Sequence, residues 1–225
     1  MIRRDVLDFS NYTGLSPDVA ALKAAGWDGV ILGTQNPSVT RRQWEVCNLE
    51  GFHVDSLYCF VYWDTQDIRR LDDALALAQQ YDLSIWLDCE WTKTGYPGAG
   101  TWAPPPDAIV TLIHYYKNKL GARYAGIYTG KWWWEPYVGN TTEFSGDPLW
   151  HAAYQAAQPD FDDFLPYGGW TRPNIWQYSS NGTQGVNADL NVEEVVEPPV
   201  PPAPWITAIN TEFPAQDRAR FTVYL

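Results

Sequence analysis

The sequence has no apolar stretch that could cross a membrane as a helix: its longest uninterrupted apolar run, residues 57–63, falls far short of the roughly 18 residues such a helix needs. It is also poor in positive charge. Lys and Arg total 15 against 27 Asp and Glu, a formal net charge of −12, which leaves no electrostatic footprint for phosphate backbones. Neither a membrane nor a nucleic acid is therefore expected as a partner. Cysteine is scarce: Cys47, Cys59 and Cys89 are odd in number and widely spaced, matching neither a disulfide framework nor a zinc pattern, and are read as buried, reduced thiols. His53, His114 and His151 show no metal-ligand spacing, so neither a metal nor another cofactor is expected. The opening Met1-Ile2-Arg3-Arg4-Asp5 lacks the apolar segment of a secretory signal, and the expectation is synthesis in the cytoplasm without cleavable export.

What the chain has in excess is aromatic surface: 13 Trp, 14 Tyr and 8 Phe, many beside Gly, Pro or Asn. Flat rings stack on the C–H faces of sugars, and Tyr O–H and Trp N–H add hydrogen bonds, so a glycan ligand fits this composition. At least half of these rings must also serve as core.

Along the chain, short β-branched or aromatic runs alternate with helical patterns, the signature of βαβ units and a mainly parallel sheet. Strands are expected at residues 6–10, 29–32, 53–62, 84–90 and 125–129, with a helix starting at Ser16-Pro17-Asp18 on a Ser cap. Two further helices present apolar faces, Leu71, Leu75, Leu77 and Ala78 on one, and Ile109, Leu112, Ile113 and Tyr116 on the other. After Thr129 the candidate strands 149–152, 174–178 and 188–192 are separated by loops rather than helices. The expected fold is α/β: a modified (β/α) TIM-like barrel over residues 1–196 with incomplete helical cover in its C-terminal half. Loops 95–106 and 138–148 are expected on the face that builds the cleft. Residues 197–204 read as a Pro-rich linker and 205–225 as an appendage whose apolar residues must be buried on the barrel or in a partner.

In such a barrel functional groups gather at the C-terminal ends of the strands, which selects Asp8, Asp88 with Glu90, and Asp189. Asp8 taken alone could cap the turn before Asn11, and Asp189 could form an Asx turn towards Asn191. Asp88 and Glu90 are harder to explain structurally. They end the apolar strand Ile85-Trp86-Leu87, and as residues i and i+2 they share one face while Cys89 points away. Clustered carboxylates in an aromatic-walled cleft raise one another's pKa, so one acid can stay protonated near neutrality, as glycosidic cleavage requires. Trp132-Trp133-Trp134 is a candidate sugar platform, or else the buried start of a helix.

The ordered set Asp8-Phe9-Ser10-Asn11, Trp86-Leu87-Asp88-Cys89-Glu90, Gly126-Ile127-Tyr128-Thr129-Gly130, Leu149-Trp150-His151-Ala152-Ala153-Tyr154, and Ile175-Trp176-Gln177-Tyr178-Ser179 followed by Ala188-Asp189-Leu190-Asn191 resembles the landmarks of family 25 glycoside hydrolases. These are lysozyme-like muramidases common among phage endolysins. The resemblance covers residues 5–195 and implies cleavage of the β-1,4 bond between N-acetylmuramic acid and N-acetylglucosamine in peptidoglycan glycan strands. It implies Glu90 as general acid, Asp88 assisting the substrate's 2-acetamido group or acting more directly, and Asp8 and Asp189 holding the charge pattern and water. Tyr58, Tyr128, Trp150, Trp176 and Gln177 would line the sugar sites. Such a protein would reach the wall after lysis or from a phage particle, with residues 205–225 available for virion contact or self-association.

Two departures bear on substrate preference. Leu32-Gly33-Thr34-Gln35-Asn36 stands where the family usually ends its second strand Lys-Ala-Thr-Glu-Gly, and Tyr58-Cys59-Phe60 where Tyr-His-Phe is common. The competing readings are a non-catalytic glycan-binding or structural phage-particle module on the same barrel, and a hydrolase whose four carboxylates hold a divalent cation.

Overall fold

The computed structural model describes residues 2–61, 68–90 and 105–195. Eight strands close into one barrel in sequence order: β1 Ile2–Phe9, β2 Gly29–Gly33, β3 Val54–Phe60, β4 Ile85–Asp88, β5 Tyr124–Thr129, β6 Leu149–Ala152, β7 Ile175–Ser179 and β8 Asp189–Val195. The first seven run parallel, whereas β8 lies antiparallel to both β7 and β1. Helices α1 Val19–Ala24, α2 Pro37–Leu49, α3 Ile68–Tyr81, α4 Pro106–Leu120 and α5 Lys131–Val138 all precede β6, so the expected loss of helical cover in the second half is present. Among the described residues no helix is long and apolar enough to cross a membrane. The expected linker 197–204, the appendage 205–225 and nearly all of loop 95–106 lie outside the described residues.

Period-2 alternation sorts the strand residues into two cores. Outward-facing Leu7, Phe9, Val30, Leu32, Leu57, Cys59, Leu87 and Ile127 pack beneath helix residues such as Leu22, Leu71, Leu77, Ile109, Ile113 and Tyr116. All three cysteines are buried free thiols in this outer layer. Inward-facing Val6, Ile31, Tyr58, Trp86, Tyr128, Trp150 and Ile175 form the plug of the barrel. Trp150 is its centre, edge-on to Tyr58, Trp86 and Tyr128 at centroid distances of 6.0, 5.9 and 4.9 Å. Each such pair adds about 0.5–1.5 kcal/mol beyond area burial. Around β6–β7, where no α-helix covers the barrel, an aromatic cluster takes its place: Trp176 packs against His151, Phe161 and Phe164, and Trp170 against Tyr167 and Trp134.

Three local expectations are corrected, and the open choice for Trp133 and Trp134 is decided. The cap of α1 is Asp18, whose carboxylate accepts the Ala21 N–H at 3.0 Å, because it reaches the third amide of the helix and Ser16 lies too far upstream. Loop 138–148 follows α5 and leads into the start of β6, so it lies at the end of the barrel away from the C-terminal ends of the parallel strands. Trp133 and Trp134 are fully buried in the outer core, the helical start rather than a platform. Finally, β8 begins at Asp189 instead of ending near it. Its connection from β7 is a short turn containing Gly182 and Gly185, too short for the crossover of a dozen or more residues that a parallel strand needs.

Inside the barrel Gly126 gives Trp86 its space. A Cβ built there would stand 2.5 Å from the Trp86 ring and would also collide with the Pro148 carbonyl oxygen. Gly126→Ala is expected to destabilise the fold by about 1–3 kcal/mol through overpacking, read as a lower urea midpoint with an unchanged denaturant slope.

Candidate active site

One mouth of the barrel gathers the four acids. Asp8 is the penultimate residue of β1, and its register partner across the antiparallel pair is Asp189, the first residue of β8. Asp88 closes β4. Beyond it, the Cys89 N–H still donates to the Tyr128 carbonyl at 2.8 Å, and Cys89 packs into the outer core, so the extended alternation that aims Asp88 inward continues to Glu90. The four acids are close enough to act on one another: Asp88 feels Glu90, Asp8 and Asp189, while Glu90 and Asp189 both feel Asp8.

Two neutral amides are built into this cluster. Asn191, completely buried on β8, accepts the Trp150 indole N–H at 2.8 Å and donates to Asp8 Oδ2 at 2.9 Å. Gln177, buried on β7, accepts the Tyr128 hydroxyl at 2.8 Å and donates to Asp8 Oδ2 at 2.9 Å and Asp189 Oδ2 at 3.2 Å. An indole N–H can only donate, so it fixes which end of the Asn191 amide faces Asp8. Asp88 Oδ1, by contrast, is buried with no hydrogen-bond partner among the described residues.

Burial raises all four acids. Asp8 is pushed up to about 6 by desolvation, opposed by the bonds from Asn191 and Gln177. Desolvation and then the Asp8 charge push Glu90 up to about 7. Asp189 rises to about 8 through desolvation and the charges of Asp8 and Glu90, and Asp88 is held well above the usual carboxylate range by desolvation and then Glu90. Among the described residues, no lysine or arginine contributes to any of these shifts. Nor is any set of three or more His, Cys, Asp or Glu side chains among them arranged to hold a metal ion.

The aromatic and amide residues expected around the acids divide into three groups. Tyr58 and Tyr128 lie inside the barrel, feel the charges of the acids and stand at the site. Trp150 and Gln177 are brought to the acids from below, but both are buried and their polar groups are bonded to protein, so they support the acids rather than line a sugar site. Trp176 is not brought in. It faces outward, buried between His151 and Phe164, with its N–H donated to the Ala153 carbonyl at 3.1 Å. His151 is likewise in the outer layer, 3.0 Å from the Tyr167 hydroxyl, its ring pushed down to about 4 by desolvation.

Three residues at the site escaped the sequence reading. Asn191 looked like a turn partner of Asp189, and only its inward register shows otherwise. Gln35, after β2, lies beside Tyr58 and has a buried Oε1 with no hydrogen-bond partner among the described residues. Tyr154, after β6, exposes 60 % of its surface and feels Asp189, Asp8 and Glu90.

These raised values set the pH dependence of folding. A carboxyl whose folded pKa exceeds its unfolded one binds its proton more tightly when folded, so its contribution is full below about pH 4 and is lost as pH rises through the folded value. For Asp8, Glu90 and Asp189 those values are about 6, 7 and 8. Asp189→Asn is therefore expected to raise the melting temperature more at about pH 9 than at about pH 5. Thermal melts of the two proteins at both pH values check this, and an equal change at both would contradict the assigned shifts.

Comparison with known proteins gives this geometry its context. The model of the family described as Glycosyl hydrolases family 25 matches residues 8–186. The probable GH family 25 lysozyme 2 of Dictyostelium discoideum is 40 % identical over 109 residues, covering 48 % of this chain and 48 % of that protein. The match thus spans about half the length of that curated relative. Among solved structures, a GH25 lysozyme from Aspergillus fumigatus superposes with a TM-score of 0.68 at 21 % identity, covering 87 % of this chain and 96 % of its own. A muramidase from Acremonium alcalophilum gives 0.67 at 22 %, covering 86 % and 95 %. These two likenesses show the shared barrel, and the family match over most of the chain includes Asp8, Asp88 and Glu90. The chain belongs to glycosyl hydrolase family 25.

Proposed function

We propose that this chain is a lysozyme that hydrolyses the β-1,4 bond between N-acetylmuramic acid and N-acetylglucosamine in peptidoglycan, with Glu90 as its general acid. One observation carries the reading: Glu90 stands at the barrel mouth with its carboxyl pushed up to about 7 by desolvation and the Asp8 charge, so near neutrality it holds a proton it can readily release. In that position it would protonate the leaving glycosidic oxygen and then take a proton from the water that completes hydrolysis.

Asp88 is given the second role because its Oδ1 is buried and has no hydrogen-bond partner among the described residues. It is an acceptor suited to the N–H of a 2-acetamido group, and holding that N–H would orient the acetamido oxygen for attack on the anomeric carbon. Tyr58, Tyr128 and Tyr154, which all feel the charges of the acids, would supply ring faces and hydroxyls to the sugars. The named activities of the relatives, a probable lysozyme and a muramidase, agree with this assignment.

Glu90→Gln should fold normally and lose at least about 100-fold in hydrolysis, because the amide keeps the shape but has no acidic proton. The assay is loss of turbidity in purified peptidoglycan with the new reducing ends identified. Wild-type binding without product would instead favour a glycan-binding module. Asp88→Asn should be nearly as damaging, and wild-type protein should act poorly on a glycan lacking the acetamido group. Comparable rates on both glycans would remove acetamido participation.

A further inference from the structure

Asn191 and Gln177 converge on a single oxygen. Asp8 Oδ2 receives an N–H from each at 2.9 Å, and each amide is oriented from behind by a buried aromatic donor, Trp150 for Asn191 and Tyr128 for Gln177. These donors are neutral, fixed and inside the barrel, and two N–H bonds to one oxygen favour the ionised carboxylate over the acid. Neither Asp88 nor Asp189 has an equivalent arrangement among the described bonds. Asp189 receives only the longer 3.2 Å contact from Gln177, and Asp88 Oδ1 has no partner.

We propose that Asn191 and Gln177 are positioning residues that keep Asp8 ionised, and that the Asp8 charge in turn helps Glu90 keep its proton. The inference rests on Glu90 being the proton donor, but it concerns where the proton sits before any substrate arrives. Among the described residues, the groups facing the cluster are Asp8 on β1, Tyr58 on β3, Asp88 and Glu90 at the end of β4, Tyr128 on β5, Tyr154 after β6 and Asp189 on β8. Gln35 after β2 and Gln177 on β7 are neutral. Asp8 is the only acid whose charge acts on each of the other three. If Asp8 took up the proton, Glu90 would lose the repulsion that holds its own, and the donor would be discharged near neutrality. Trp150 and Tyr128 thus act on the chemistry without touching a substrate, through the amides they orient.

The test is a site-resolved titration of the whole chain by carboxyl 13C NMR, which needs no substrate. In the wild type Asp8 should ionise at lower pH than Glu90. In Asn191→Leu and in Gln177→Met, each of similar volume but without the donor, the Asp8 midpoint should rise and the Glu90 midpoint fall, each by about one pH unit. On peptidoglycan, kcat near neutrality should drop about fivefold with KM little changed, because moving the Glu90 midpoint down by one unit from about 7 lowers its proton occupancy at about pH 7 from about one half to about one tenth. A purely structural role would lower the melting temperature and leave the Glu90 midpoint in place, and that result in a folded variant overturns the proposal. If neither variant folds, the wild-type titration decides: an Asp8 still protonated after Glu90 has ionised also overturns it. Failure of the lysozyme reading is separate, because it would appear as an active Glu90→Gln protein while the titration order remained measurable.

Discussion

The structure turns on one electrostatic constraint: four carboxylates share the mouth of a barrel, and no lysine or arginine among the described residues offsets them. Bringing like charges out of water is costly unless they are hydrogen-bonded or neutralised. Here the protein does both. Asp8 is bonded by two amides, and its neighbours are pushed towards their protonated forms. The amides must themselves be oriented, and the barrel plug does this with Trp150 and Tyr128. Side chains that look like core filling are therefore the outer ends of two hydrogen-bonded chains that finish on one carboxylate.

The opposite end of the barrel shows the alternative solution. There Asp55 and Glu193 flank Arg4, with its Nη1 at 2.6 and 2.9 Å from their oxygens, so the negative charge is paired with a fixed cation. A guanidinium at the mouth would stabilise the acids as carboxylates and lower their pKa values. Neutral donors instead hold one carboxylate ionised and leave its charge acting on the rest. The same fold thus has an ion-paired end that holds β1, β3 and β8 together and a mouth whose acids are all raised above the usual carboxylate range. The outer core beneath the helices carries most of the apolar burial and leaves the inner surface free to be specialised in this way.

Much of this was legible from the chain. Alternation along Trp86-Leu87-Asp88-Cys89-Glu90 put both acids on one face, because side chains on a strand have a period of two. The strand-end rule picked Asp8, and the loss of helical pattern after Thr129 foretold the uncovered half of the barrel. The nine residues between Ser179 and Asp189, with Gly182 and Gly185, also contained the reversal of β8, since a parallel return needs more chain than that. Their length was the available signal, and it matters because the reversal is what sets Asp189 opposite Asp8.

Other features depended on depth and direction, which a periodic pattern does not record. Trp150 and Trp176 both sit in β-strand patterns rich in aromatics, yet one plugs the barrel and the other faces the outer layer, because pairing register decides which face turns inward. Asn191 and Gln177 read as ordinary polar residues until their amides are seen to meet at Asp8 Oδ2 from two different strands, 14 positions apart in sequence and 169 or more from Asp8. The sequence by itself determined the alternating strands, the acids at their ends and the scarcity of positive charge. Only the closed barrel decided which acid is held ionised, because that choice depends on hydrogen bonds between residues far apart in the chain and on exclusion of water, and neither exists before the strands close.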